Sequence, residues 1–500
     1  MGSIKVNIVA NLIGKVWSAG ITILLIPFYI RFIGIESYGL IGFYGTLIGS
    51  MALLDLGLST TLNRELAKYA HESKSPKEIR DLTFSLECIY WCIGFFICCM
   101  VIVLSGLISL HWVKAEHLSV DTVKNSVMLM GGVFAFQWPI SLYSGGLTGL
   151  ERQVLNNIIM VVMTTLRAAG VLIILRYVSP TIEAFFIWQA GISCLYVLII
   201  RWSFWSKMPK FNTNAVFSRV QIKTIWRFAA GMTGISVVSF FLAQIDKIVL
   251  SKILPLSQFG YYILAFSAAA SINLFVSPIS ITFFPRFASL IASNRIIELR
   301  ILYHQACKFI AAFIFPVFFV LVFFAEDILR IWTKNSVTTQ NTYLLARILA
   351  AGCLMNSLMV IPYNLLIAYG RTKFTFYQNT IAAIILVPML FLWTHWYGAI
   401  GATFVWVSVN AGYIVISQPI MHRSLLKGDL WRWYWNDTFL PMIPSFLIVV
   451  IIKYSLLHLF PDVQVNLWML TCIFLGSFAI SILTIPHVRM LIRRTFENMK

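Results

Sequence analysis

The chain has 500 residues, 59% of them hydrophobic and only 11% charged, which excludes a soluble fold whose surface must be covered by charge. Its formal net charge of +19 invites a nucleic-acid partner, but the placement of the basic residues argues against one. Short loops on both sides leave no room for a soluble domain.

Fourteen apolar segments read as helices, beginning near residues 8, 38, 82, 125, 157, 182, 226, 259, 305, 340, 375, 396, 438 and 464. They predict an all-α polytopic membrane protein. An even number of spans puts both termini on one side. Placing that side in the cytoplasm puts Arg64, Lys68, Lys74, Lys77 and Arg80 inside, with Arg201, Lys207, Lys210, Arg219 and Lys223. Arg286, Arg295, Arg300, Lys308 and the basic C-terminus follow, so most of the 38 Lys and Arg obey the positive-inside rule. The excess charge is topological. The first apolar stretch, "NIVANLIGKVWSAGITILLIPFYI", is too long for a signal peptide and lacks a small-residue cleavage site. All eight cysteines lie in apolar stretches, where packing is the expected role; Cys88 and Cys92 have no companion ligands for a metal.

Charges inside the apolar stretches are sparse, and an intramembrane charge points to function unless it reaches the interface. Lys15 sits two turns into the first span. Asp55 closes the second, where local polar bonding at a helix end is expected. Glu87 lies just inside the third, Arg227 starts the seventh and Lys453 lies near the end of the thirteenth; all three are expected to snorkel to the interface. Arg167 is different. In "NNIIMVVMTTLRAAGVLIILRYV" it lies about 15 Å deep in a hydrocarbon core roughly 30 Å thick. It either lines a polar cavity or pairs with another helix. Glu326 and Asp327 are expected to form a solvated helix end. Gln137, Asn273, Asn356 and Asn410 offer mid-span hydrogen bonds or interhelical glue. The run "LWRWYWNDTF" reads as an interfacial aromatic belt.

The first twelve spans fall into two similar sets of six. "IGIESYGLIGFYGTLIGS" matches "ILPLSQFGYYILAFSAAAS", with Tyr38-Gly39 over Phe259-Gly260; Pro139, Gly149 and Asn157 lie over Pro362, Gly370 and Asn379. These offsets, 221 to 223 residues, define parallel repeats, a transporter plan with the site between two lobes near the midplane. The expected domains are an N-lobe (1–205, helices 1 to 6), a cytoplasmic linker (206–224), a C-lobe (225–424, helices 7 to 12), and two further helices with a basic tail (425–500). Pro139 and Pro362, at matching places, are candidate bend points for alternating access; a static kink is the competing reading. No Walker A, H-E-x-x-H or G-x-S-x-G motif is present, so neither ATP-driven transport nor hydrolytic chemistry is expected. With Lys15 and Arg167 deep and no carboxylate at the centre of a span, a cavity in the first lobe would be cationic and suited to an anion such as phosphate.

The stretches "IPFYIRFIGIESYGLIGFYGTLIGSMALLDLGLSTTLNRELAKY", "GGLTGLERQVLNN" and "AQIDKIVLSKILPLSQFGYYILAFS" resemble the polysaccharide, or O-antigen, flippases of the Wzx type, within the multidrug/oligosaccharidyl-lipid/polysaccharide exporter superfamily. The resemblance covers the whole chain in topology. It implies about 14 transmembrane helices in two pseudo-symmetric six-helix lobes plus two accessory helices. It implies a polyprenyl-pyrophosphate-linked oligosaccharide, an O-antigen or capsule repeat unit, moved to the outer leaflet of a bacterial inner membrane with no covalent step. In such a cavity Lys15 and Arg167 would receive substrate, and Arg31 and Arg64 would guard the mouths. The implied partners are the lipid-linked glycan, membrane lipids and polysaccharide assembly proteins. No cofactor is expected; Asp246 is the candidate for proton or sodium coupling, with a helix-end pair to Arg or Lys as the favoured competing reading. Multidrug export, and a glycan polymerase or glycosyltransferase, are the alternatives.

Overall fold

The structure, a computed structural model, describes residues 4–55, 57–69, 75–209, 211, 214–459 and 465–485. Lys74, Lys210 and the basic C-terminus lie outside the described residues, as does the side chain of Arg227. The described chain is helical, with one isolated β-bridge, Lys114 to Pro255. It divides into two compact units, 1–260 and 261–500. That division falls beyond the 206–224 linker at which the sequence repeat would divide the chain.

The first unit contains α1 (Ile4–Leu54), α2 (Leu58–Tyr69), α3 (Pro76–Leu107), α4 (Val120–Gln137), α5 (Ile140–Gly149), α6 (Gln153–Tyr177), α7 (Ile182–Lys207) and α8 (Arg219–Ile253). The second follows from within α9 (Leu256–Ala270) through α10 (Asn273–Ala292), α11 (Ile296–Phe323), α12 (Ala325–Thr333), α13 (Ser336–Leu358), α14 (Val360–Ala368), α15 (Thr372–Gly412) and α16 (Gln418–Leu425). It ends with α17 (Leu430–Arg432), a π-helical stretch (Trp433–Phe439), α18 (Leu440–Leu459) and α19 (Leu467–Ile482).

Among the described residues nine helical stretches are long and apolar enough to cross a membrane, with shorter apolar helices at 276–292 and 467–482. The chain is therefore a multi-pass membrane protein. Two stretches each hold two of the expected helices. Gly34 (φ 80°) bends α1 and Gly398 (φ 57°) bends α15, at angles a residue with a Cβ rarely adopts. Elsewhere the ends are capped. Ser75 precedes Pro76 and accepts from the Lys77 amide, while Thr181 and Asn335 accept from the Ala184 and Thr338 amides. Phe95, Phe96 and Val103 on α3 and Trp202 on α7 are exposed, as lipid-facing side chains are, while Ser126, Ser193 and Gln189 are buried.

The breaks between α4 and α5 and between α13 and α14 fall at Trp138-Pro139 and Met359, three residues before Pro362. Sequence repetition thus has a local counterpart: each repeat interrupts the same helix.

A closer counterpart lies at one end of the first unit. A Cβ on Gly39 would stand 2.4 Å from the Leu256 carbonyl oxygen, and a Cβ on Gly260 would stand 2.4 Å from that of Ile35. Leu256 and Gly260 follow Ile35 and Gly39 by the repeat offset of 221, so the contact is reciprocal. The loop that follows α3 seals its flank. Glu36 accepts from the amides of Glu116 (2.5 Å) and His117 (3.0 Å), Lys114 donates to the Ile253 carbonyl (2.9 Å), and Ser257 donates to Glu116 (2.6 Å).

Four sequence expectations fail on contact with tertiary structure. Glu87 does not snorkel: it is 4% exposed, bonded to Arg201, Tyr143 (2.7 Å) and Trp205 (3.0 Å). Lys453 does not run to water either but pairs with Asp327 at 3.2 Å and lies over the Phe324 ring. Asp327, which also pairs with Arg330, is thus a bonded residue, and only Glu326 is the exposed helix end expected of both. The aromatic run divides too. Trp431 and Trp435 are exposed, whereas Trp433 and Asp437 are buried. Depth along one helix does not reveal which partner a neighbouring helix brings.

Two outcomes check this packing by thermal unfolding in detergent. Gly39→Ala and Gly260→Ala are expected to cost about 1–3 kcal/mol each through overpacking against backbone. Gly20→Ala, with nothing within 4 Å of its Cβ, is the neutral control. Glu87→Ala, which leaves Tyr143 and Trp205 without their acceptor, is expected to cost about 2–4 kcal/mol; an unchanged midpoint would remove the carboxylate from the account.

Candidate functional site

Arg167 lies within α6, and polar contacts fix that helix against α1. Asn11 donates to Gln153 (2.8 Å) and accepts from Asn157 (2.5 Å), Trp17 donates to Thr165 (2.9 Å), and Tyr29 donates to the Ala168 carbonyl (2.7 Å). Trp188 ties α7 to the same helix through the Leu166 carbonyl (3.2 Å). This ladder holds the Arg167 stem in place while the guanidinium turns toward α4 and α7.

There it meets neutral oxygens. With the Gln137 amide oxygen toward the guanidinium, that oxygen accepts from Nη1 and from Nη2 (3.0 Å). Tyr44 of α1 bonds the same amide, at 3.1–3.2 Å. Nη2 also donates to Ser193 Oγ at 3.2 Å, and Ser193 in turn donates to the Gln189 carbonyl. Arg167 Nε is buried with no hydrogen-bond partner. Among the described residues no carboxylate lies within ion-pairing distance of Arg167. The interhelical ion pair is therefore not found; Gln137, Ser193 and Tyr44 orient the guanidinium and leave its charge uncompensated. A fixed cation in a low-dielectric setting attracts an anion far more strongly than in water, and its planar fork matches phosphate oxygens.

The other sequence candidates are spread over the first unit. Lys15 and Arg31 are exposed side chains on α1, and Arg64 is exposed on α2. Among the described residues Lys15 and Arg31 have no ion-pair partner. Asp246, on α8, is buried and paired with the adjacent Lys247 at 3.2 Å. Pro139 precedes α5 and Pro362 lies in its first turn of α14, each beside a helix break. Asp55 is bonded as a helix-end carboxylate would be, accepting from Ser59 (2.8 Å), Tyr90 and Ser141 (3.4 Å). Asn356 donates to Asn410 (3.0 Å) and Ser357 to Asn273 (3.0 Å), which makes those three asparagines helix glue in the second unit. Gln137 does the same work but on the arginine. Sequence gave no signal for Tyr44 or Ser193, whose hydroxyls resemble many others until α1, α4, α6 and α7 converge.

Comparisons with known proteins agree with this architecture. The family described as "Polysaccharide biosynthesis protein" matches residues 4–291. A putative O-antigen transporter of Shigella flexneri is 22% identical over 410 residues, covering 81% of this chain and 94% of its own. Among solved structures, the lipid II flippase MurJ in an inward closed conformation is similar over 98% of this chain and 99% of its own, with a TM-score of 0.65 at 16% identity. An inward-facing multidrug resistance MATE family transporter of the MOP superfamily matches 90% of this chain and 95% of its own, at a TM-score of 0.60 and 14% identity. At these identities the structural likeness is one of fold. The family match spans more than half of the sequence, and the chain belongs to the polysaccharide biosynthesis protein family.

Proposed function

We propose that the chain is a flippase that carries a polyprenyl-pyrophosphate-linked oligosaccharide from the cytoplasmic to the outer leaflet of a bacterial inner membrane. Arg167 carries the reading: a guanidinium deep in an apolar helix, oriented by Gln137, Ser193 and Tyr44, with no carboxylate to neutralise it. A diphosphate is the anion that this geometry suits, and the polyprenyl tail can remain in lipid while the head group crosses. Lys15 adds a second cation, and Arg31 and Arg64 stand on α1 and α2 as mouth residues. The lobes 1–205 and 225–424, with the helices of 425–500 as accessories and both termini cytoplasmic, are the moving parts. Pro139 and Pro362 mark where they bend, and Asp246 remains the candidate coupling residue. The step moves cargo without breaking a covalent bond, so the chain acts as a transporter rather than an enzyme, with glycan assembly proteins as its partners.

The O-antigen transporter match supports the cargo, and the MurJ likeness supports the fold such a cargo needs. The MATE likeness favours a second reading, multidrug export. The sign of the charge weighs against it for cationic drugs, because the first span carries Lys15 and the centre of α6 carries Arg167.

Mass spectrometry of polyprenyl lipids from a deletion strain tests the proposal. The strain is expected to accumulate one complete oligosaccharide-pyrophosphate lipid, cleared by wild type. Arg167→Met, which keeps the stem, is expected to lower clearance about tenfold or more, while Arg167→Lys keeps a measurable fraction by retaining charge without the fork. Clearance by Arg167→Met equal to wild type, at matched expression and thermal stability, would falsify the role of the guanidinium. Absence of any accumulated lipid, with altered resistance to cationic dyes, would favour drug export.

A further inference from the structure

The second unit contains a buried titratable cluster that the cargo-binding account does not use. It joins three pieces of chain: α11, α16 and the segment 426–439 that leads into α18. At its centre is His304 of α11, 2% exposed, whose Nδ1 contacts the carboxylate of Asp437, itself 0% exposed. The other ring nitrogen, Nε2, faces Asp429 Oδ2 at 3.6 Å. His304 thus lies between two carboxylates from the same connecting segment.

The remaining charged and polar groups around it come from every element packed there. On α11, Lys308 faces Asp437 at 3.7 Å and Arg300 faces Asp429 at 3.6 Å; Tyr303 lies beside the ring, and Cys307 lies near Tyr303 and Asp437. Arg432 adds a further cation near Asp437. From α16, Gln418 donates to Tyr303 (3.2 Å), and His422 faces both His304 and Asp429. Neither Lys308 nor Arg300 is within hydrogen-bond distance of its carboxylate, so they balance charge without satisfying the acceptors. Five buried atoms in this small region, His304 Nε2, Asp437 Oδ1, Asp429 Oδ2, Gln418 Oε1 and His422 Nε2, have no hydrogen-bond partner.

A neutral imidazole has one N–H and one lone pair, whereas an imidazolium has two N–H donors. Placed between Asp437 and Asp429, the neutral ring can serve one carboxylate and must turn a lone pair toward the other. Only the protonated ring presents an N–H to both. We propose that His304 is a proton-binding site whose protonated form clasps the 426–439 segment to α11, so that the attachment of this segment depends on a bound proton. Histidine is the side chain whose charge ordinarily changes between about pH 5 and 8, which sets the range over which the clasp is tested. The inference does not depend on which cargo the chain carries.

Hydrogen exchange of the full-length protein in lipid nanodiscs tests it, at about pH 6 and about pH 8 after correction for the intrinsic exchange rate. In wild type, peptides covering 426–439 are expected to open about tenfold more readily at the higher pH, the size of effect that loss of one charge-assisted hydrogen bond produces. Peptides from α7 serve as the internal control and should not change. His304→Gln is expected to erase the difference, His422→Gln to retain it, and Asp437→Asn to open the segment at both pH values. Equal wild-type protection at the two pH values overturns the proposal without need of any variant. So does a difference that survives in His304→Gln, or one that disappears only in His422→Gln. If His304→Gln does not yield folded protein, Asp429→Asn takes its place, with a reduced pH difference expected and an undiminished one counting against the clasp.

Discussion

Hydrocarbon offers no hydrogen bonds, and every charge placed in it must bring its own partners. That constraint organises the molecule. Glu87 is met by Arg201, Tyr143 and Trp205; Lys453 is met by Asp327; Asp437 is met by His304 and Lys308. In each case an opposite charge or a titratable ring arrives from another helix, because a buried ion without a counter-ion costs several kcal/mol. Arg167 is handled differently. Its hydrogen bonds end on an amide, a hydroxyl and, through the amide, a phenol, so its donors are oriented while its charge is retained.

That distinction separates charges that hold helices together from one that is kept for something else. An ion pair spends its field on its partner. A guanidinium held by neutral oxygens projects its field outward, and the nearest anion to arrive will feel it. The same helices supply both kinds of site: α7 carries Arg201, which neutralises Glu87, and Ser193, which steadies Arg167. With Arg167 as the proposed cargo site, binding and stability share a scaffold but use separate residues along it.

Much of this architecture was legible in the sequence. Apolar segments longer than a bilayer is thick can only be spans, and the depth of Arg167 followed from counting residues along one of them. The matched positions of Tyr38-Gly39 and Phe259-Gly260 carried the repeat. What sequence could not show was lateral: which helix stands beside which. Glu87 looked able to reach water because nothing in the third span points to Arg201, over a hundred positions away in the chain. Gln137 looked like glue because its partner lies on another helix. His304, within a span, and Asp437, in an aromatic run, gave no hint that they meet. The candidate site was legible as a list of cations and illegible as a set of contacts, since contacts are made by packing and not by periodicity.

The reciprocal approach of Gly39 and Gly260 has an evolutionary reading. A surface in which residue i meets residue j of the second repeat, and j of the first meets i of the second, is isologous, as in a two-fold homodimer. Such a surface is self-complementary by construction. A half-length chain bearing only the Ile35–Gly39 edge would possess both sides of the joint and could close it against another copy of itself. Duplication and fusion would then have tethered a dimer interface that existed beforehand. The two glycines are the part of that interface where neither half has room for a side chain.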